Sequence, residues 1–227
     1  MINVIIPNYG HECYLPDLIA SLTHQDNANW IATIYNDDDR PGKELGYVFD
    51  EHWVYCKDDR KRIGQAARFN QGIVKADNEW ISFMGADDIA MPWKISSILD
   101  YAENADVIYT DAVQLMLNDT RLYIKSDKPI EQICDQNFIV ASTVAVRRQF
   151  LLDHIIRFDE KLSYGEDWLF YNQLAIAGAK FKYLPWPTVY YRDYTSNIMI
   201  RGRPEWHQRK KQIYDKIQQL YTNIKGG

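Results

Sequence analysis

A chain of 227 residues, 46% hydrophobic and 25% charged, can form one large folded domain or one domain with a small extension, and is too apolar to be disordered. Its 26 lysines and arginines against 31 aspartates and glutamates give a net charge of -5, which argues against a general attraction to nucleic acid. The charge is uneven: residues 201–227 carry seven basic and two acidic side chains, so the body is acidic and the tail basic. Cys13, Cys56 and Cys134 stand far apart in no ligand spacing, which disfavours disulfides and a structural zinc. No stretch approaches about 18 consecutive apolar residues and the N-terminus lacks a signal-peptide pattern, so a cytoplasmic protein is expected.

The chain starts in a strand, Ile2-Asn3-Val4-Ile5-Ile6, that ends at the turn signature Pro7-Asn8-Tyr9-Gly10. A helix follows, with Pro16 at an early position and Leu15, Leu18, Ile19 and Leu22 on one face. Strand, turn and helix make the first half of a βαβ unit. A second strand over 30–35 ends in Asn36-Asp37-Asp38-Asp39. Three consecutive acids there are costly unless solvated or paired; either the loop faces water, or one acid accepts hydrogen bonds from a base or ribose. Val54-Tyr55-Cys56 reads as a third short strand. The helix over about 64–75 has Ile63, Ala66, Ala67, Ile73 and Val74 as its apolar face. Asn70 shares that face, and a buried amide needs partners, so it either ties the helix to a neighbouring loop or reaches a ligand cavity. Arg68 lies off the face, in the helix that leads into the next strand.

That next stretch, residues 79–92, organises the chain. Apolar residues through 80–84 read as a strand buried on both faces. It stops at Gly85-Ala86 and delivers Asp87 and Asp88 to the C-terminal end of an inner strand, where open α/β sheets bind ligands. Adjacent carboxylates repel unless positive charge lies beside them; they either face water and cap the next helix, or hold a hard divalent cation that carries a phosphorylated ligand. Pro92 opens a helix through Trp93, Ile95, Ile98 and Leu99, and a strand over 106–110 follows. The βα rhythm then breaks. Residues 111–135 alternate loosely around the hairpin signal Asn118-Asp119, and 138–147 is a β-rich segment that ends at Arg147-Arg148.

Ser163 and Glu166 have capping-box spacing ahead of a helix through Leu169, Asn172, Ala175 and Ile176 to Gly178. On that reading Glu166 serves the backbone while Asp167 faces the cavity, ionised and able to accept a proton from a polarised hydroxyl; otherwise both are only favourable helix-start charges. Further on come Phe181-Lys182-Tyr183-Leu184, Pro185-Trp186-Pro187, a last strand over 189–191, and Arg192 in a loop suited to clamping a diphosphate. The final helix, 204–221, has Trp206, Ile213, Ile217, Leu220 and Ile224 on one stripe. Its basic side, with His207, Arg209, Lys210, Lys211 and Lys216, is either solvated or lies on a membrane surface.

In order, INVIIPNYG (2–10), the acids Asp37-Asp38-Asp39, GQAARFNQG (64–72), Gly85-Ala86-Asp87-Asp88 and Gly165-Glu166-Asp167-Trp168 resemble the signature of the family 2 glycosyltransferases, over residues 1 to about 195. The resemblance implies a GT-A type α/β fold: a Rossmann-like, mostly parallel central sheet with helices on both faces and a small antiparallel appendage. It implies a nucleotide-sugar-binding half (1–110), an acceptor-binding and catalytic half (111–203) and a C-terminal basic amphipathic helix (204–227). The implied activity is transfer of a sugar from a nucleotide diphosphate sugar, foremost a UDP-sugar, to a saccharide or lipid-linked acceptor, with inversion and with Mn²⁺ or Mg²⁺.

By the same resemblance, Pro7 and Tyr9 lie beside the base, Asp38 binds it (Asp37 is the alternative), and Asp87 and Asp88 serve metal and ribose. Asp167 is the base and Arg192 lies near the diphosphate; Arg68 and Asn70 join the nucleotide-sugar set. Two positions depart from the pattern: Gly85 stands where the first acid of an Asp-X-Asp motif is common, and Tyr194 where many members have His. Rival readings are a non-catalytic nucleotide-sugar or carbohydrate-binding protein, a metal-dependent nucleotidyltransferase, disfavoured by the lack of Lys or Arg in 7–10, and DNA as the acceptor, disfavoured by the acidic body. The tail leaves peripheral membrane contact open.

Overall fold

Alternation along β1 (Ile2–Asn8) sends Ile2, Val4 and Ile6 to one side and Ile5 to the other, all buried, so both faces of this strand must be covered. The computed structural model describes residues 1–37, 51–57, 62–116, 121–162, 164–192 and 204–225. β1 pairs in parallel with β2 (Trp30–Asn36) and β4 (Trp80–Phe83), and β2 in parallel with β3 (Trp53–Lys57). The second half of the chain extends this sheet in mixed sense. β8 (Ala145–Arg147) runs antiparallel between β4 and β6 (Val107–Leu115), β9 (Phe181–Arg192) is parallel to β6, and β5 (Ile89–Ala90) closes the edge against β9. The order is β3-β2-β1-β4-β8-β6-β9-β5, with β7 (Arg121–Ile124) paired to β6. The hairpin expected around Asn118-Asp119 is thus present in its strands; the turn lies outside the described residues.

Helices cover both faces. α1 (Leu15–Thr23) and α3 (Lys94–Asp100) bury Leu15, Leu18, Leu22, Ile95 and Ile98 with Val4, Ile6 and Trp80. The other face receives α2 (Gln65–Lys75), α4 (Arg148–Asp153), α5 (Glu166–Ile176) and α6 (Pro204–Lys225). Its centre is an aromatic cluster in which Phe158 stacks on Phe170 at 4.1 Å between centroids and both meet Phe83 edge-on. At Gly72, in α2, a Cβ would lie 2.5 to 2.8 Å from three side-chain atoms of Ile5, so the helix touches the sheet where it has no side chain.

Three expectations change. The buried face of α2 is wider than its apolar residues suggest: it takes in Arg68 and Phe69, while Val74 is exposed. Residues 138–147 yield only β8, after a 3₁₀ turn at Ala141–Thr143. Residues 181–192 form one strand, not two. Register shifts between Thr110 and Val113 admit Pro185 and Pro187, because an irregular ladder has no regular donor to lose there. The C-terminal helix α6 docks through Ile213 and Ile217 of its apolar stripe, and its Lys216 Nζ donates to Asp159 Oδ2 at 2.8 Å. Its Arg209, Lys210, Lys211 and His207 face outward. Among the described residues no helix is long and apolar enough to cross a membrane.

Candidate active site

The parallel strands β1, β2 and β4 end together, bringing residues 7–11, Asp37 and the 84–88 loop to one rim of the sheet. Asp37 is committed to the protein. Its carboxylate accepts the N–H groups of Ile63 and Gly64 at 2.9 and 2.8 Å, and the Arg68 guanidinium through Nε and Nη2 at 3.0 and 2.8 Å. With four donors converging on it in a buried place, Asp37 anchors the N-terminal end of α2, whose N-cap Gly64 adopts φ 93°. This corrects the placement of Arg68. It is 1% exposed, pairs with Asp37 and also donates to Gln71, so it lies within the buried face of α2. Asn70 takes the first of its two expected roles: its amide donates to Phe158 O and Glu160 Oε1 and accepts from Phe158 N, tying α2 to the 158–160 loop. Asp38, Tyr194 and Ser163 lie outside the described residues. Pro7 is partly buried, and the exposed Tyr9 carries the Arg62 guanidinium 3.6 Å from its ring centroid.

Asp87 and Asp88 separate in role. Asp88 turns inward at 2% exposure: Oδ1 accepts the Arg192 backbone N–H at 3.0 Å and Oδ2 accepts the Ser142 hydroxyl. The same Ser142 oxygen accepts Gly85 N–H at 3.0 Å, and the buried Lys94 donates to Ser142 O at 2.8 Å. Burial pushes the Asp88 carboxyl up to about 7, with the Asp87 charge adding to it and Ser142 and Arg192 opposing. Burial brings Lys94 down to about 7, partly countered by Asp88. In this arrangement Asp88 clamps together the 85–88 loop, the 3₁₀ turn and the end of β9.

Asp87 faces outward. Its Oδ1 lies 3.8 Å from His11 Nδ1, with the two side chains 25% and 45% exposed. Arg192 reaches this corner, donating from Nη1 to Asp87 O at 3.0 Å and from Nη2 to Asp17, over the ring of Tyr14. A Cβ at Gly85 would stand 2.9 Å from Asp87 Oδ1 and 3.0 Å from Asp88 Oδ2, so the position lies between both carboxylates.

The start of α5 does not form the expected capping box. Gly165 is the N-cap, at φ 69° and without a side-chain cap bond, which makes Glu166 the first helical residue. Left-handed backbone at 165 is open to glycine, and a Cβ there would overlap Ile213 Cδ1 of α6. Asp167 is the anchored acid: Oδ1 accepts Trp168 N–H at 2.7 Å and Oδ2 accepts Asn137 Nδ2 at 3.0 Å. Burial raises its pKa against those two bonds. Burial, with Asp167 beside it, pushes Glu166 up to about 7. Segment 137–142 thus holds Asp167 at one end through Asn137, and the Gly85–Asp88 loop at the other through Ser142. Neither residue stands out in the sequence; a polar side chain within the β-rich run and another just before it are the available sign.

The donor set fits a Mn²⁺ or Mg²⁺ ion in part. Asp87 presents an outward carboxylate oxygen and His11 an imidazole nitrogen beside it, but among the described residues no three His, Cys, Asp or Glu side chains converge. An ion there would complete its shell with ligand oxygens and water, the usual arrangement for a cation that accompanies phosphates.

An uncharacterized glycosyltransferase of Haemophilus influenzae is 27% identical over 149 residues, covering 63% of this chain and 50% of that protein, so the chain spans half the length of that relative. The uncharacterized glycosyltransferase YwdF of Bacillus subtilis is 27% identical over 228 residues, covering 97% of this chain and 84% of that protein. Among solved structures, S. aureus TarS 1-349 in complex with UDP-GlcNAc superposes with a TM-score of 0.71 at 16% identity, over 93% of this chain and 65% of that one. TarS 1-349 alone gives 0.68 at 17% identity, over 98% and 72%. The mixed α/β architecture is the expected GT-A type. With the family model for Glycosyl transferase family 2 matching residues 3–171, the chain belongs to that family.

Proposed function

We propose that the chain transfers a sugar from a nucleotide diphosphate sugar, a UDP-sugar foremost, to a hydroxyl of a saccharide or lipid-linked acceptor, with inversion and with Asp167 as the base. The observation that carries this reading is the double anchoring of Asp167 by Trp168 N–H and Asn137, on the segment that also fixes the Gly85–Asp88 loop. A base held in one orientation, with its proton affinity raised by burial, suits removal of a proton from a hydroxyl that is becoming a nucleophile. Family membership, and a UDP-GlcNAc complex of a protein with this fold, support the donor class.

The donor would lie across the ends of β1, β2 and β4, with its base near Pro7, Tyr9 and Asp38 and its diphosphate beside Asp87. Arg192 shapes that corner: its guanidinium is engaged by Asp87 O, Asp17 and Tyr14, so it holds the loop and adds positive potential without leaving its seat. A bound Mn²⁺ or Mg²⁺ would neutralise charge on the departing diphosphate. Asp167 takes the acceptor proton as the acceptor oxygen bonds the anomeric carbon from the face opposite the diphosphate, whose oxygen leaves with the bonding pair. One displacement inverts the centre.

The test is hydrolysis of a panel of nucleotide sugars, with and without Mn²⁺, by the wild type and by Asp167→Asn. Turnover of one donor is expected, with a loss of about 10²–10⁴ in the variant and donor affinity changed less than about threefold. Wild-type turnover by Asp167→Asn alongside an inactive Glu166→Gln would move the base to Glu166. Binding of a donor with no turnover under any condition would favour the non-catalytic reading.

A further inference from the structure

We propose that His11 is a second protein ligand of the donor-bound cation, paired with Asp87, and that it gives the site a preference for Mn²⁺ over Mg²⁺. The inference rests on the cation of the proposed function and concerns which side chains hold it. Position 85, where a first carboxylate would stand, is glycine, and Asp88 has both oxygens committed to Ser142 and Arg192 N–H inside the protein. Asp87 is left as the outward acid of this loop. Alone it would hold a divalent ion through one carboxylate, with ligand oxygens and water supplying the rest.

His11 changes that count. It sits on the loop between β1 and α1, its ring set edge-on to Tyr14 at 5.9 Å between centroids, and places Nδ1 3.8 Å from Asp87 Oδ1. That separation is too long for a hydrogen bond. With metal–ligand distances near 2.1 Å, donors at right angles stand about 3.0 Å apart and opposed donors about 4.2 Å, so 3.8 Å lies between the two spacings and a turn of the partly exposed His11 ring brings Nδ1 to a position beside Asp87 on one ion. Both side chains are partly exposed, on the rim where the donor would lie.

The chemistry of the pair predicts selectivity. Mg²⁺ takes oxygen ligands and gives up water reluctantly, whereas Mn²⁺, which also takes carboxylate and water, is the softer of the two and accepts an imidazole nitrogen more readily than Mg²⁺ does. A carboxylate with an imidazole therefore favours Mn²⁺ in a way that two carboxylates would not.

The experiment measures cation binding in the presence of UDP, for wild type, His11→Ala and His11→Gln, by the electron paramagnetic resonance signal of free Mn²⁺, with Mg²⁺ in competition. Expected is a loss of roughly 10-fold or more in Mn²⁺ affinity for both variants, with Mg²⁺ affinity changed less than about threefold. Electron spin echo modulation from a nitrogen bound to Mn²⁺ should be present in wild type and absent from both variants. His11 is on an exposed loop, so unchanged melting temperatures should accompany these losses. Equal losses for the two ions, no loss, or no nitrogen modulation in wild type would overturn the assignment and leave the cation itself standing. UDP binding that is indifferent to Mn²⁺ and Mg²⁺ in wild type would overturn both the assignment and the cation.

Discussion

Gly165→Ala tests the junction between the C-terminal helix and the helix that carries the acids. Two costs follow from the structure. At φ 69° an alanine pays for left-handed backbone, about 1–2 kcal/mol. Its Cβ would overlap Ile213 Cδ1, and Ile213 is 2% exposed among packed neighbours, which adds an overpacking cost of about 1–3 kcal/mol. The sum, about 2–5 kcal/mol, corresponds to a fall in melting temperature of roughly 5–15 °C for a chain of this size. Thermal and urea denaturation of the single variants and of Gly165→Ala with Ile213→Val separates the two terms, because valine removes Cδ1 and leaves the backbone cost in place. Ile213→Val alone should cost about 0.5–1.5 kcal/mol, and in the alanine background it should return much of the crowding cost. Additivity within about 0.5 kcal/mol would refute the crowding argument, and an unchanged melting temperature for Gly165→Ala would refute both terms.

Asp37→Ala should destabilise by about 3–5 kcal/mol, since it leaves the buried Arg68 charge and the Ile63 and Gly64 N–H groups without their acceptor; a chemical denaturation midpoint close to wild type would refute the strut. The acids at α5 predict a pH dependence. Glu166 titrates near 4.5 when unfolded and at about 7 when folded, so between those values the folded protein holds a proton that the unfolded chain lacks. Stability should therefore fall as pH rises from about 4.5 to about 7 and level off above it. Asp88 and Asp167, shifted in the same direction, add to the slope, whereas the lowered Lys94 acts above pH 7. Melting curves of Glu166→Gln across this window should show a shallower slope than wild type, and an identical slope would remove Glu166 from the account.

Much of the scaffold was legible because periodicity and burial agree. β1, α1, β2 and β4 carry mostly apolar patterns, and most of the positions those patterns mark are buried, with the polar Asn3, Thr33 and Ser82 buried among them. What escaped depends on side chains that meet across long separations. Arg68 read as peripheral because a charge off an apolar stripe is usually solvated, yet Asp37, 31 positions earlier, supplies the partner that lets it be buried. Asp87 and Asp88 are identical in type and adjacent, so nothing local tells which turns inward; Ser142 and Arg192 decide it. The capping-box reading of Ser163 and Glu166 gave way to glycine at the N-cap, and the acid assigned to face the cavity is the one tethered by Asn137. Prolines at 185 and 187 suggested a break, and a bulged ladder absorbed them.

The place of β9 in the sheet bears on the order in which the molecule assembles. It enters between β6 and β5, and its last residue reaches back to Asp17, 175 positions away. Strands β1 and β2 pair across a short span and can form early, whereas β1 with β4, β6 with β9 and above all β5 with β9 join distant segments, and one edge of β6 stays open until residues 181–192 arrive. Contacts of such span form slowly, because loop closure precedes any gain from them. The outward corner at Asp87 is therefore completed late, and a chain cut before β9 would present an unpaired strand edge, the kind of surface that recruits other chains. Completion of the Asp87 corner and protection from self-association arrive in the same folding step.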